Sequence, residues 1–267
     1  MSTQTTPDHP DSTDQFLQCA GARLRWRLAG TGPAIALLHG WALDLEYWNP
    51  LVALLAPRFT VLAFDRRGFG LSQGAPDIHR NVDDLRALLD AAAIERVVLL
   101  GMSQGARLAL HFALRFPART RALLLDGAPA LEAESELPLD QYRRQLEEQG
   151  PAALQTEVLQ HPLMSLTTGD DVARTQLAEI VARYQGLDLH QPVKRRGAPD
   201  LTAITAPTLL LNGSLDSPAR HEAARELQAA ISDAQRVELP GAGHLAALDD
   251  PPGYARIVTA FCRDLPP

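Results

Sequence analysis

Val97-Val98-Leu99-Leu100-Gly101-Met102-Ser103-Gln104-Gly105-Ala106-Arg107-Leu108-Ala109-Leu110-His111 decides the fold. An apolar, β-branched run leads into Gly-x-Ser-x-Gly and then into a helical pattern, so the stretch predicts a strand, a tight turn and a helix. A serine on so sharp a turn has its hydroxyl pushed out above the sheet. Only glycines at 101 and 105 let neighbouring backbone crowd so close. Glycine-serine turns are common, and what singles out Ser103 as a candidate nucleophile is the readable strand before it and helix after it.

A serine hydroxyl is a weak nucleophile near neutral pH. It needs a histidine to take its proton and a carboxylate to hold that histidine in the right tautomer. Leu239-Pro240-Gly241-Ala242-Gly243-His244-Leu245 supplies a histidine on a glycine-flexed loop after a short strand. Thr208-Leu209-Leu210-Leu211-Asn212-Gly213-Ser214-Leu215-Asp216 is an apolar strand whose turn ends at an aspartate. Asp126 also follows an apolar strand, but the longer turn before Asp216 lets a carboxylate swing toward His244, and Asp216 is preferred. The candidate catalytic residues are Ser103, Asp216 and His244 in that chain order, unlike the chymotrypsin or subtilisin arrangements.

Two more segments complete a pattern: Leu37-Leu38-His39-Gly40-Trp41 at the end of an early strand, and Asp65-Arg66-Arg67-Gly68-Phe69-Gly70-Leu71-Ser72 after the next. With them the chain from about Phe16 to Phe261 resembles the α/β-hydrolase superfamily, and among its small capped members the esterases and enol-lactone hydrolases. The resemblance implies an α/β fold, a mostly parallel eight-stranded sheet with helices on both faces and an inserted helical cap. It also implies a serine hydrolase that cleaves a small carboxylic ester or lactone through an acyl-enzyme, with no cofactor. The His39-Gly40-Trp41 turn would bring the Trp41 N–H near the serine, where it and the Gln104 N–H would form the oxyanion hole. His39 reads as a structural histidine bracing its own loop, and Asp65 and Arg67 as bracing one another and nearby backbone. The same triad serves thioesters, C–C bond hydrolysis and a lyase of menaquinone biosynthesis. A triad-dependent lyase or C–C hydrolase acting on an acidic substrate, and a non-catalytic ligand receptor, are therefore the alternatives.

The chain has 267 residues, 46% hydrophobic and 21% charged, enough for one large core with an inserted subdomain. Its net charge of −7 argues against nucleic acid or an anionic membrane as partner and leaves a small-molecule substrate, with a monomer or homodimer expected. No His/Cys/Asp/Glu cluster has metal-ligand spacing and no phosphate-binding loop is present, so neither metal nor nucleotide is implied. Cys19 and Cys262 read as two unpaired core thiols. Residues 1–15 lack an apolar core and read as a disordered tail rather than a signal peptide, and no run reaches membrane-spanning length, so a cytoplasmic enzyme is expected.

Strands are predicted near Phe16–Ala20, Arg23–Leu28, Ala34–Leu38, Thr60–Phe64, Val97–Leu100, Ala122–Leu125, Thr208–Leu211 and Gln235–Leu239, the first two as an antiparallel hairpin. Helical patterns at Val82–Ala92, Ala106–Phe116, His221–Ala230 and Tyr254–Arg263 alternate with the later strands, which predicts a mostly parallel sheet covered on both faces. Ligands of such sheets bind at the carboxyl ends of the strands, where Ser103, Trp41, Asp216 and His244 all fall. From Pro129 to Asp200 only helical patterns recur, at Leu139–Gln149, Ala152–Gln160 and Val172–Tyr184, a length too great for an ordinary crossover. This segment, 129–200, is the expected cap, inserted into a core of 16–128 and 201–267. With Asp44 to Trp48 it would set specificity. Tyr142 and Met164 are its candidate substrate-binding residues, although inter-helix packing is the commoner role of such residues. Arg107, four residues past Ser103, could reach a substrate carboxylate or pair with a nearby acid. Lys194-Arg195-Arg196 reads as a solvated hinge.

Overall fold

Ala20 and Gly21 both stand at positive φ, 43° and 78°, the backbone of a two-residue hairpin turn. They fold β1 (Gln15–Cys19) onto β2 (Ala22–Ala29) with Cys19 opposite Ala22. The computed structural model describes residues 13–130, 136–191 and 199–265. Past the hairpin, strands and helices alternate through β3 (Ala34–Leu38), α1 (Asn49–Leu55), β4 (Thr60–Phe64), α2 (Ile78–Ala91), β5 (Val97–Met102), α3 (Gln104–Arg115) and β6 (Thr120–Asp126). Three helices then follow without a strand among the described residues: α4 (Leu139–Gln149), α5 (Pro151–Gln160) and α6 (Asp171–Ala182). Alternation resumes with β7 (Thr208–Gly213), α7 (Pro218–Ala230), β8 (Ala234–Leu239), the short α8 (Ala246–Asp249) and α9 (Pro251–Arg263).

The eight strands form one sheet in the order β1-β2-β4-β3-β5-β6-β7-β8. Strands β3 to β8 run parallel, and β1 and β2 are the antiparallel edge. The chain leaves β3 on one side to make β4 and recrosses it to make β5. That reversal opens a crevice at the carboxyl ends of β3 and β5, where ligands of open α/β sheets bind. Central strands β3, β5 and β7 are buried almost throughout because helices cover both faces. Strand periodicity divides their side chains: Ile35 and Leu37 join a core with Leu51 and Leu55 of α1, Tyr254 of α9 and Leu154 of the inserted helices, whereas Ala36 and Leu38 join Leu85 of α2, Leu108 of α3 and Leu227 of α7.

Several expectations are corrected here. The chain is already tied down at Asp14, which pairs with Arg25 (2.8 Å) and Arg27 (2.5 Å), and β1 begins at Gln15, so the expected tail of 1–15 overshoots; its residues 1–12 lie outside the described residues. Lys194-Arg195-Arg196 also lies outside them. Cys19 and Cys262 are free, as expected, but only partly buried. Asp65 braces nearby backbone, as expected, but it and Arg67 do not brace one another. Asp65 is taken up by loop N–H groups, accepting from Leu45 and Leu71 at 2.8 Å each, while Arg67 turns to α2 and binds Asp84 through both oxygens (2.6 and 2.5 Å). Among the described residues no helix is long and apolar enough to cross a membrane.

The Arg67–Asp84 pair has almost no solvent access on either side chain. Removing one partner strands the other charge in the interior. Arg67→Met should therefore destabilise the fold by about 3 to 5 kcal/mol in urea titrations, and adding Asp84→Leu should return most of the loss. Equal midpoints for the single and double variants would show that the charge left behind is not the source of the loss.

Candidate active site

Ser103 stands between β5 and α3 with φ 53° and ψ −115°, a backbone region that non-glycine residues avoid at a cost of order 1 to 3 kcal/mol. The surroundings enforce it. The Ser103 N–H donates to the Asp126 carbonyl at 2.8 Å, tying the turn to the end of β6. A Cβ on Gly105 would fall 1.9 Å from the Leu38 carbonyl oxygen, and one on Gly101 2.3 Å from the Gly105 oxygen, so both positions require glycine. On the facing loop, a Cβ on Gly40 would lie 3.4 Å from Ser103 Cβ. The serine thus sits against the chain that leaves β3.

His244, on the loop after β8, comes to the same place from the other side. Its Nδ1 lies 3.0 Å from each carboxylate oxygen of Asp216, the residue that ends the turn after β7. Gly127 packs directly beneath the ring: a Cβ there would meet His244 Cε1 at 2.7 Å and Nδ1 at 2.8 Å. Ser103 bonds residue 126 and His244 rests on residue 127, so the end of β6 brings the two together. Burial works against the Asp216 charge, but the imidazole hydrogen bond, the Ser217 N–H (2.7 Å) and the more distant Asn212 amide (3.4 Å) outweigh it and hold the carboxyl below its ordinary range. Ser103 and His244 are only 6% and 5% exposed.

Asp126 is occupied elsewhere. Its side chain accepts from the Tyr254 hydroxyl at 3.0 Å, and its Oδ1 has no hydrogen-bond partner. Complete burial, with the Asp216 charge nearby, raises its carboxyl well above the usual range.

The chain after β3 carries the remaining candidates. His39 Nδ1 lies 2.8 Å from the Gly40 carbonyl and Nε2 accepts the Arg66 N–H at 3.0 Å, which assigns the neutral tautomer with its proton on Nδ1. Burial, with the Arg66 charge adding to it, keeps the imidazole neutral. Trp41 stacks on Tyr142 of α4 (centroids 5.5 Å apart, planes 13°), so this residue of the inserted helices touches the loop facing Ser103. Trp41 Nε1 donates to Asp188 at 2.8 Å, and Asp188 also accepts from the Tyr184 hydroxyl at 2.7 Å. Gln104 opens α3, so its N–H has no partner within that helix. Met164 is buried in the short turn after α5. Arg107 extends the other way, donating to the Ala130 carbonyl at 3.2 Å near Arg220.

The inserted helices are fastened around this loop. Arg183 binds Asp44 (2.6 Å) and Glu46 (2.8 Å), Gln176 donates to the Glu46 carbonyl (2.6 Å), and Asp249 accepts from Thr167 (2.7 Å) as well as from Gly243 (2.8 Å), the residue before His244. The residues that sequence inspection missed are those whose roles exist only across such contacts: Gly127, Asn212, Asp188 and Arg66. No local pattern marks the first three, and Arg66 is hidden inside a motif that reads as a loop.

The match to known proteins agrees with this layout. Residues 35–257 match the model of the alpha/beta hydrolase family, and the chain belongs to that family. A pimeloyl-[acyl-carrier protein] methyl ester esterase from Pectobacterium atrosepticum is 29% identical, with 91% of this chain and 99% of that protein aligned. A thermophilic esterase from Thermogutta terrifontis superposes with a TM-score of 0.81 at 25% identity, covering 94% of this chain and 98% of that one. The enol-lactonase from Burkholderia xenovorans gives the same TM-score and identity over 94% and 100% of the two chains.

The two buried aspartates titrate with opposite sign. Asp216, lowered, adds stability above the carboxylate range of the unfolded chain and loses it as pH falls through its folded value. Asp126, raised, favours the fold at low pH, and that contribution is lost as pH rises from the unfolded value toward the folded one. Asp126→Asn should remove the second slope. The variant should gain on the parent as pH rises above the unfolded-chain carboxylate value, by as much as about 1.4 kcal/mol per pH unit, read as the difference between their urea stabilities. Parallel pH profiles would mean that Asp126 ionises normally.

Proposed function

We propose that the protein is a serine esterase that hydrolyses a small carboxylic ester or lactone through an acyl-enzyme. What carries this is the His244 imidazole bound to the Asp216 carboxylate beside a serine held on a strained turn. Asp216 fixes the histidine with its proton on Nδ1, leaving Nε2 to accept the Ser103 proton as Oγ adds to the substrate carbonyl. The carbonyl oxygen becomes an oxyanion received by the N–H groups of Trp41 and Gln104. Collapse expels the alcohol, which takes the proton back from His244, and water repeats the sequence to release the acid.

Ester hydrolysis is also the activity named for the Pectobacterium relative and, in its cyclic form, suggested by the Burkholderia enol-lactonase. The inserted helices act as a cap: Tyr142 and Met164 present apolar surface to the acyl side, and the near-complete burial of Ser103 means substrate enters as the cap shifts. Arg107, on which the alternative of an acidic substrate relied, is engaged at the root of the insert, and this favours a neutral ester or lactone. The acid is Asp216 rather than Asp126, which faces Tyr254.

A fluorophosphonate should modify Ser103 and no other serine, located by peptide mass analysis, and Ser103→Ala should abolish turnover of neutral esters and lactones. Asp216→Asn should lower kcat by about 10³ to 10⁴ by freeing the wrong tautomer, while Asp126→Asn should cost far less. An adduct elsewhere on the folded chain, or the reverse ranking of the aspartates, would overturn the assignment.

A further inference from the structure

We infer that Arg66 is a positioning residue for both oxyanion donors, its guanidinium gripping the Gly40–Trp41 peptide and the Gln104 side chain, a role that rests on the esterase chemistry proposed above. Arg66 NH2 donates to the Gly40 carbonyl at 2.8 Å and NH1 to Gln104 Oε1 at 3.2 Å. The Gly40 carbonyl and the Trp41 N–H belong to one planar unit and point in opposite directions, so whatever holds the oxygen aims the hydrogen. That oxygen is held twice, by Arg66 and by His39 Nδ1, and His39 is held in turn by the Arg66 N–H. Donors on the oxygen also polarise the peptide and strengthen its N–H as a donor. The second anchor fixes the residue that carries the other donor.

The charge itself needs an explanation. Arg66 is buried, its Nε has no partner, and among the described residues no carboxylate comes within ion-pair distance; Phe69 lies under the guanidinium at 4.4 Å. Burial lowers its pKa to about 10 against the more distant Asp188 and Tyr184, which pull it up, and leaves it charged at neutral pH. A buried cation without an ion-pair partner weakens a fold, and an apolar residue of similar volume would not carry that penalty. Beside a point where negative charge appears only during reaction, such a cation favours the transition state over the bound ester.

The test compares Arg66→Met, Arg66→Lys and Gln104→Met with the parent protein, using p-nitrophenyl acetate for turnover. Two ligands complete it: a trifluoromethyl ketone that adds to the serine as a tetrahedral oxyanion, and an unreactive ether isostere of the ester. Arg66→Met should lower kcat about 30- to 100-fold with KM changed less than about threefold. It should weaken the ketone by the same factor as kcat and leave ether affinity within about twofold. Arg66→Lys, whose ammonium retains the charge and one contact, should recover part of the loss. Gln104→Met should lose about three- to tenfold with the same selectivity for the ketone, and it decides the matter if Arg66→Met does not fold. Equal weakening of ketone and ether, or unchanged kcat in these variants, overturns the role of Arg66. An active Ser103→Ala would instead overturn the esterase assignment, so the two failures are distinguishable.

Discussion

The close approach of backbone to backbone where α3 begins governs the rest of the site. With nothing but hydrogen on the Cα of Gly105, the helix start can lie against the Leu38 carbonyl, and the turn before it has no relaxed conformation available. Ser103 takes up the strain and is held there by the Asp126 carbonyl. The two loops that touch at this point leave adjacent strands on either side of the topological reversal. Juxtaposing a serine with backbone donors of the facing loop is thus a property of the strand order before it is one of any side chain.

Charge is distributed around that point with a clear division. Asp216 is held below its ordinary range because the imidazole, an amide and a backbone N–H all address it, whereas Asp126, the last residue of β6 and more deeply buried, is left with one hydroxyl and is raised. Two aspartates at the carboxyl ends of neighbouring strands are therefore shifted in opposite directions. The Asp216 charge adds to the burial that raises Asp126. On the loop facing the serine the sign reverses: the buried charge is the Arg66 guanidinium, bound to the Gly40 carbonyl and the Gln104 side chain with Asp188 beyond ion-pair distance.

Much of this was legible in the sequence because it is local. The Gly-x-Ser-x-Gly turn, the glycine loop before His244 and the apolar central strands each declare themselves within ten residues, and β3 and β4 fall on the expected boundaries. Helix starts were read late for an identifiable reason. Asp77 and Ser217 cap helices whose first turns are polar or contain proline, so the apolar period emerges only after the helix has begun. Helices α1 and α8 are too short to show a period at all. Arg67 was misassigned because the acid nearest in sequence, Asp65, is consumed by backbone, and the true partner lies across a helix. Asp188 and Arg183 were beyond reach for the same reason: nothing in their neighbourhood says that Trp41, Asp44 and Glu46 will fold against them.

Strands β6 and β7 are hydrogen-bonded neighbours, with Asp126 opposite Leu211. Everything from Gly127 to Pro207 therefore departs from and returns to adjacent points on one sheet. Such an excursion is free to lengthen, since each doubling of a loop adds only about 0.6 kcal/mol to the entropy of closing it. The register of the strands does not depend on what it contains. The sheet is thus framed without the insert, but the loop from Trp41 to Glu46 is not: Asp188, Arg183 and Gln176 hold it from the inserted segment, so a change there is transmitted to the chain facing Ser103 through three hydrogen-bonded side chains.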